Sequence, residues 1–550
     1  HFKSIFLLGT LSAQTKNFNQ AKQLLQKAIE INPNHNEAHN NLGNVLMELK
    51  EFEKAKNCYE KAIQINPNYT DAHNNLGIVF HKLKESEKAI NCYKKVIQIQ
   101  PNNVNVYNNL GVVLKELGKY QEAINCYKKA IQIQPNNADA YYNLGVVFRA
   151  LDDFKNSINF YKKAIQIRPN FPNSHINLAY VFEQLGDFQK AINSYEEAIK
   201  YKPENLNIYF SLSFLKKRIM DTNLRNKIEN IIKNDYATKK NMVYGNYLLA
   251  KYEREKKNYE EEFNYLIRGH LHYFELEKEK FLRKIKHWFD VLPNINKLIN
   301  LNKSNGNINN NYYQIKPIFI IGVPRCGSTL IEKVIASGVN YIPIGEETGI
   351  FDKFIIQKIK KKQLLNLNRE NFKIELFNEY KHKGLIQKKS NYIFTDKSLE
   401  NFFYIELIKE IFPNAKVINC KRNALSSIVS IFQTNLIFQE WAHNLEHIFK
   451  YFDIYYRIIE NFKKNFPNFI YELEFEKFVN EPEVESKKLL KYCDLPWDKK
   501  CLEFYKRKDL ISKTASNVQI REAIYKHKSD KYLPYKKLLY KYGNKYSWFN

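Results

Sequence analysis

The chain is expected to fold as an α-solenoid followed by an α/β domain with a parallel sheet. Two observations carry that expectation. Prolines at 33, 67, 101, 135, 169 and 203 stand 34 residues apart, the mark of stacked helical hairpins. Residues 317–335, PIFIIGVPRCGSTLIEKVI, run from an apolar stretch through a glycine loop into an apolar-periodic helix. That layout lets a buried parallel strand lead an anion-binding turn into a helix N-terminus. With 550 residues, the chain exceeds the roughly 250–300 at which a single core stops growing. The expected division is a repeat solenoid at 1–205, degenerate helical repeats or a connector at 206–300, an Asn-rich linker at 301–316 and the α/β domain at 317–550.

The solenoid is justified position by position. KAIEINP, KAIQINP and KVIQIQP precede successive prolines, and Gly9, Gly43, Gly77, Gly111 and Gly145 keep the same period. So do Ala21, Ala55, Ala89 and Ala123. Small residues allow two helices to approach, Leu42, Leu76, Leu110 and Leu144 fill the seam, and each proline ends one hairpin and begins the next. The pattern resembles the tetratricopeptide repeat, which implies a concave groove that takes a peptide. His39, Asn40, His73, Asn74, Tyr107, Asn108 and Tyr141 are the groove-facing candidates. Asparagine amides there would hold an extended backbone; the plainer reading is a solvated helix face. Residues 245–270 look like one more, degenerate, repeat.

Composition restricts the partners. Apolar residues make up 44% and charged residues 26%, as in a globular protein, and no run reaches the ~18 apolar residues of a membrane span. The opening HFKSIFLLGT is too short in its apolar part to read as a signal peptide. Net charge is +28. Residues 1–205 hold 25 Lys/Arg against 19 Asp/Glu, so +22 falls on the remainder. Lys, Asn and Ile are abundant throughout, as a biased genome composition would produce, so no nucleic-acid partner is expected. A basic site for a small polyanion is. Cys58, Cys92 and Cys126 recur at the repeat period, and no CxxC pair occurs. This predicts no metal, no disulfide framework and a reducing, cytoplasmic setting.

In the α/β half, Ile318–Ile321 is the buried strand and GVPRCGST the turn. Gly322 and Gly327 have the spacing of a nucleoside triphosphatase loop, but Ser328-Thr329 replaces Lys-Ser/Thr. Losing the lysine that contacts β/γ-phosphates argues against ATP or GTP hydrolysis; Arg325 supplies charge instead. A second strand-to-helix passage, AKVINCKRNALSSIVSIFQ (415–433), sets Arg422 at a strand's carboxyl end and Ser430 two helical turns on. Ligands bind at that edge of open α/β sheets, and this pair suits a second phosphate.

Two phosphate sites around a lysine-free loop resemble the sulfotransferases. PRCGST is similar to their 5′-phosphosulfate loop, commonly PRSGTT, with Cys326 in the usual serine position and Gly327, Ser328 and Thr329 following. KRNALSSIVS is similar to their 3′-phosphate motif, with Asn423 replacing a common aspartate. The likeness extends over roughly 317–535, and the whole resembles bacterial tetratricopeptide-repeat proteins fused to a relative of the protein-tyrosine sulfotransferases. It implies 3′-phosphoadenosine 5′-phosphosulfate (PAPS) as cofactor, no metal, and transfer to an acceptor hydroxyl on a protein or peptide. A glycan or lipid hydroxyl, or an inactive peptide-binding scaffold, are the alternatives. YIPIGEETGIF (341–351) resembles the GEET segment of the tyrosine enzymes, which makes Glu347 the base; beside Arg325 its pKa would be drawn down. Gly349 stands where those enzymes have an arginine. TDKSLENF (395–402) implies that Lys397 stabilises the bridging oxygen. KTASNVQIREAIYKHKSDKY (513–532) implies a transition-state role for Ser516 and a phosphate contact for Lys531.

Overall fold

A fixed steric pairing sets the 34-residue period. In the hairpin Asn36–Glu48/Phe52–Ile65, a Cβ on Gly43 would stand 2.5 Å from the ring of Tyr59. The same ring occupies the same space at Gly77–Tyr93, Gly111–Tyr127 and Gly145–Tyr161, at 2.6 Å each. All four tyrosines are at most 1% exposed. The helix glycines are therefore there to admit an aromatic ring. Within each hairpin the backbone turns left-handed at one repeated place: Lys16, Lys50, Lys84, Gly118 and Asp152 all have positive φ. Some of the helices begin on side-chain caps, Asn103 accepting from the Val106 N–H and Asn137 from that of Ala140, which satisfies otherwise orphaned donors.

The computed structural model describes residues 1–216, 219–299, 301–302, 315–339, 341–360, 367–386, 392–437, 439–507, 518–524 and 531–549. The chain divides into two compact units, His1–Val181 with Glu196–Tyr201, and Phe182–Tyr195 with Lys202–Asn550.

In the first unit the expected groove residues divide. His39 and His73 turn instead to the loop before their helix, where Nε2 lies 2.8 and 2.9 Å from the carbonyls of Pro33 and Pro67. The turn offers each imidazole an acceptor that a groove position does not. Asn40 is buried and accepts from Asn75 at 3.1 Å, and Asn74 accepts from Asn109 at 3.0 Å. The asparagine ladder thus runs from repeat to repeat. Tyr107, Asn108 and Tyr141 remain half-buried on the helix surface.

The second unit is built on parallel strands. A short pair joins β1 (Leu301–Asn302), at the start of the stretch expected to be linker, to β3 (Leu367–Asn368). The main sheet holds β2 (Lys316–Ile321), β4 (Ile393–Lys397), β5 (Lys416–Lys421) and β6 (Ile470–Glu474) in the order β4-β2-β5-β6, all parallel. Pro317–Ile321 are all buried, as a strand covered on both faces requires. The chain leaves β2 for β4 on one side and returns to β5 on the other, so a topological switch point lies between β2 and β5. One core encloses Phe319, Phe394 and Ile418 together with Val243, Tyr247, Phe263, Leu266 and Trp288. The irregular helices Lys239–Glu255 and Tyr259–Leu276 thus pack as part of the sheet domain.

Gly111→Ala should cost about 1–3 kcal/mol, because a methyl must displace the Tyr127 ring from a filled seam. Thermal melts check this, and an unchanged Tm would deny the Gly–Tyr pairing its role.

Candidate functional site

The switch point places two motifs side by side. After β2, the loop reaches the helix Ser328–Ala336 through Gly322 (φ 150), Arg325 (φ 67) and Gly327 (φ 97). A Cβ on Gly327 would overlap the Phe475 ring, so only glycine fits this left-handed position. No side chain caps the helix, which leaves its first N–H groups directed at the loop's concave side. Cys326 is buried, and its Sγ would lie 2.7 Å from a Cβ on Gly322. Its thiol is packing, and what it offers a ligand is backbone.

After β5, Arg422 returns to the same loop. Its Nη1 donates to the Arg325 carbonyl at 2.9 Å, while Arg325 Nε donates to Ser430 Oγ at 3.0 Å. Ser430 lies on the helix Ala424–Phe432, capped by Asn423, which accepts from the Ser426 N–H. Lys531 titrates below the ordinary lysine range, through partial desolvation and then the positive field of Arg422, Arg325 and Arg254. Four cationic side chains therefore act on one region.

The carboxylate side is held by β4. Thr395 N–H donates to the Pro343 carbonyl, Lys397 N–H to Gly345 and Glu347 N–H to Lys397, at 3.0, 3.0 and 2.6 Å. The stretch 343–347 is therefore laid along the end of the sheet. A Cβ on Gly345 would overlap the Thr395 carbonyl. Glu347 takes a left-handed φ of 52, and the turn after it is fixed by Thr348 Oγ1 and Gly349 N–H on Asp396 and Ser398.

The basic partner of Glu347 is Lys397, whose Nζ lies 2.8 Å from Oε1 and 3.3 Å from Thr329 Oγ1. Glu346 bridges Lys397 and Lys333, 3.9 Å from each. Side-chain exposure is 36% for Glu347 but 7% for Glu346, so of the pair only Glu347 presents its carboxylate to an incoming molecule. Burial opposes the charge on Lys397, but the carboxylates of Glu347, Glu346 and Glu332 outweigh it and keep the residue cationic. Glu332 is fully buried, accepts from Thr395 Oγ1 at 2.7 Å, and burial raises its carboxyl to about 7.

The structure thus brings Arg325, Arg422 and Ser430 together, and separately Lys397, Glu347 and Thr329. Ser328 opens the loop helix. Ser516 lies outside the described residues. Sequence reading missed Glu332, Lys333, Asp396 and Ser398. Asp396 and Ser398 flank Lys397 and lay in view as polar residues within a buried strand end. Glu332 and Lys333 were visible as charges on the inward face of an apolar helix.

Residues 317–499 match the family model described as Sulfotransferase family. Tetratricopeptide-repeat models match 13–60, 43–84, 80–118, 113–152, 138–171 and 172–205. An uncharacterized protein of Aquifex aeolicus (strain VF5) is 30% identical over 333 residues, 57% of this chain and 42% of that protein. The chain therefore spans less than half the length of that curated relative. Among solved structures, MamA is 24% identical with a TM-score of 0.28 over 30% of this chain and 97% of its own. YrrB, described as a TPR protein with an unusual peptide-binding site, is 20% identical with a TM-score of 0.28 over 34% and 96%. PilW, a type IV pilus biogenesis factor, is 17% identical with a TM-score of 0.36 over 38% and 98%.

The raised carboxyl of Glu332 has a pH signature. A folded value of about 7, against 4.5 ordinarily, means stability present below pH 4.5 and lost as pH rises through 7. At 1.36 kcal/mol per unit, the loss is up to about 3 kcal/mol. Glu332→Gln should leave Tm nearly unchanged at pH 5 and raise it at pH 8.5. An equal shift at both would show the group ionised throughout.

Proposed function

We propose that this chain, in which tetratricopeptide repeats lead into a domain of the sulfotransferase family, transfers a sulfuryl group from PAPS to an acceptor hydroxyl. The acceptor is a protein or peptide presented by the repeats. The observation that carries the reading is the pair of hydrogen bonds joining Arg422 to the Arg325 carbonyl and Arg325 to Ser430. They bring two anion-binding motifs from different strands to one crevice.

The residues present fit such a cofactor. An uncapped helix start and Arg325 suit the 5′-phosphosulfate, with Cys326 and Gly327 offering backbone and Ser328 and Thr329 hydroxyls. Arg422, Ser430 and Lys531 suit the 3′-phosphate. Ser430 accepts from Arg325, which leaves its own O–H to donate to a phosphate oxygen. The cofactor, when bound, supplies the activated sulfuryl group. Everything else falls to the chain: positioning, and neutralising charge as it develops.

Glu347 is the base of this reading. A phenol with a pKa of about 10 is a poor nucleophile until its proton is removed during transfer, and Glu347 is the half-exposed carboxylate beside the loop. Lys397, held cationic between Glu347 and Thr329, stands where negative charge on the bridging oxygen would be offset. Ser516 is assigned a supporting donor role. The tyrosine enzymes' arginine is absent at Gly349, but Lys353 adjoins that position, its Nζ donating to the Thr348 carbonyl at 3.0 Å. A cation is thus kept for an acidic peptide.

Adenosine 3′,5′-bisphosphate should raise Tm well above the shift given by ADP at equal concentration; equal shifts would remove the cofactor assignment. With radiolabelled PAPS and a cell lysate, label should enter protein, whereas label confined to glycan or lipid would redirect the acceptor. Glu347→Ala should reduce transfer at least about a thousandfold, toward the upper part of the range for general-base removal, with bisphosphate affinity unchanged. Loss of nucleotide binding instead would make Glu347 structural.

A further inference from the structure

The helix Tyr259–Leu276 lies outside residues 317–499, yet it grips the end of the helix that carries Ser430. Glu262 is completely buried. Its Oε1 accepts from Arg254 Nε at 2.6 Å and from Gln433 Nε2 at 2.9 Å, and its Oε2 accepts from the Tyr535 hydroxyl at 2.5 Å. Gln433 is the C-cap of the Ser430 helix, and its amide also donates to Tyr535 at 3.0 Å. Two turns further along, His270 Nε2 donates to the Phe432 carbonyl at 2.8 Å and its ring stacks on Phe432 at 4.3 Å. Phe263 packs on the same ring at 5.5 Å.

A buried carboxylate is tolerated only when its lone pairs are filled. Here the three donors come from three separate segments: the preceding helix, the Ser430 helix and the stretch just after Lys531. Tyr535 is kept a protonated donor, since burial and the Glu262 charge both push its phenol upward. Fixing Gln433 fixes a helix whose Ser430 is less than one turn away. Fixing Tyr535 anchors the chain four residues from Lys531. Arg254, the cation that balances Glu262, adds to the field at Lys531.

We propose that Glu262 is a positioning residue for the 3′-phosphate pocket: it locks the Ser430 helix and the Lys531 segment to the helical hairpin 239–276, which thereby becomes part of the cofactor site. The proposal rests on the PAPS reading above. Its specific content is that the hairpin governs the 3′ side of the nucleotide and leaves the 5′ loop alone.

Calorimetry on the full chain separates these. Wild type should bind adenosine 3′,5′-bisphosphate far more tightly than adenosine 5′-monophosphate. Glu262→Gln should weaken the bisphosphate at least about tenfold, or 1.4 kcal/mol, while changing the monophosphate less than about twofold. Tyr535→Phe, which removes one hydroxyl and opens no cavity, should act in the same direction by a few-fold and guards against misfolding of the first variant. Equal weakening of both nucleotides would reduce Glu262 to a general stability role and overturn the proposal, as would a bisphosphate preference that survives both substitutions. A wild type that binds the two nucleotides alike would withdraw the cofactor reading itself, an outcome distinct from either.

Discussion

The site depends on the clasp between Arg325, Arg422 and Ser430. At Arg325 the backbone is left-handed, which turns the carbonyl toward Arg422 while the side chain reaches Ser430. One residue thus joins the carboxyl end of β2 to that of β5. The clasp places two guanidinium groups together, and Lys531, lowered first by desolvation, also lies in their field. Like charges gathered at one place favour an anion that offsets them.

On the opposite side, charges alternate from the interior outward: Lys333, Glu346, Lys397, Glu347. Removing such groups from water costs more than one ion pair returns, so the chain of pairs is better understood as a way of fixing positions than as a source of stability. Each member fixes the next, and the last carries the half-exposed carboxylate. The backbone reinforces this, since the strand-like pairing of 343–347 with β4 sets Glu346 opposite Lys397 and ties the Glu347 N–H to the Lys397 carbonyl. Side chain and backbone therefore define the same distance independently.

Much of this was legible in the sequence where the signal was local. The 34-residue period gave the hairpins, and strand–loop–helix passages gave Arg325, Arg422 and Ser430 their places at sheet ends. Reading failed where the partner lay at a distance. His39 and His73 share a helix face with groove residues, but their acceptors are carbonyls six residues back in the turn, which helical periodicity does not register. The period showed Gly43 recurring without showing that it exists to admit the Tyr59 ring. Glu346 and Glu347 are adjacent and chemically identical, and resemblance alone singled out Glu347; the positions of Lys333 and β4 supply the physical difference. Glu262 had no signal at all, since its acceptor role is defined by residues 171 and 273 positions away.

The fading of the repeat pattern after residue 205 follows from the same long-range demand. In a regular repeat one helix supplies the glycine and the other the tyrosine, and both faces serve neighbouring hairpins. In the hairpin Lys239–Glu255/Tyr259–Leu276 the arrangement is reversed: Tyr247 lies on the first helix and Gly269 on the second, where a Cβ would be 3.3 Å from the ring. The second helix then commits Glu262, Phe263 and His270 to Phe432, Gln433 and Tyr535. Positions that stacking would fill with small or apolar residues are taken by groups matched to a sheet domain, so the period must lapse. Degeneracy here marks a hairpin whose second helix packs into the core of the sheet domain, at the Gln433 end of the Ser430 helix.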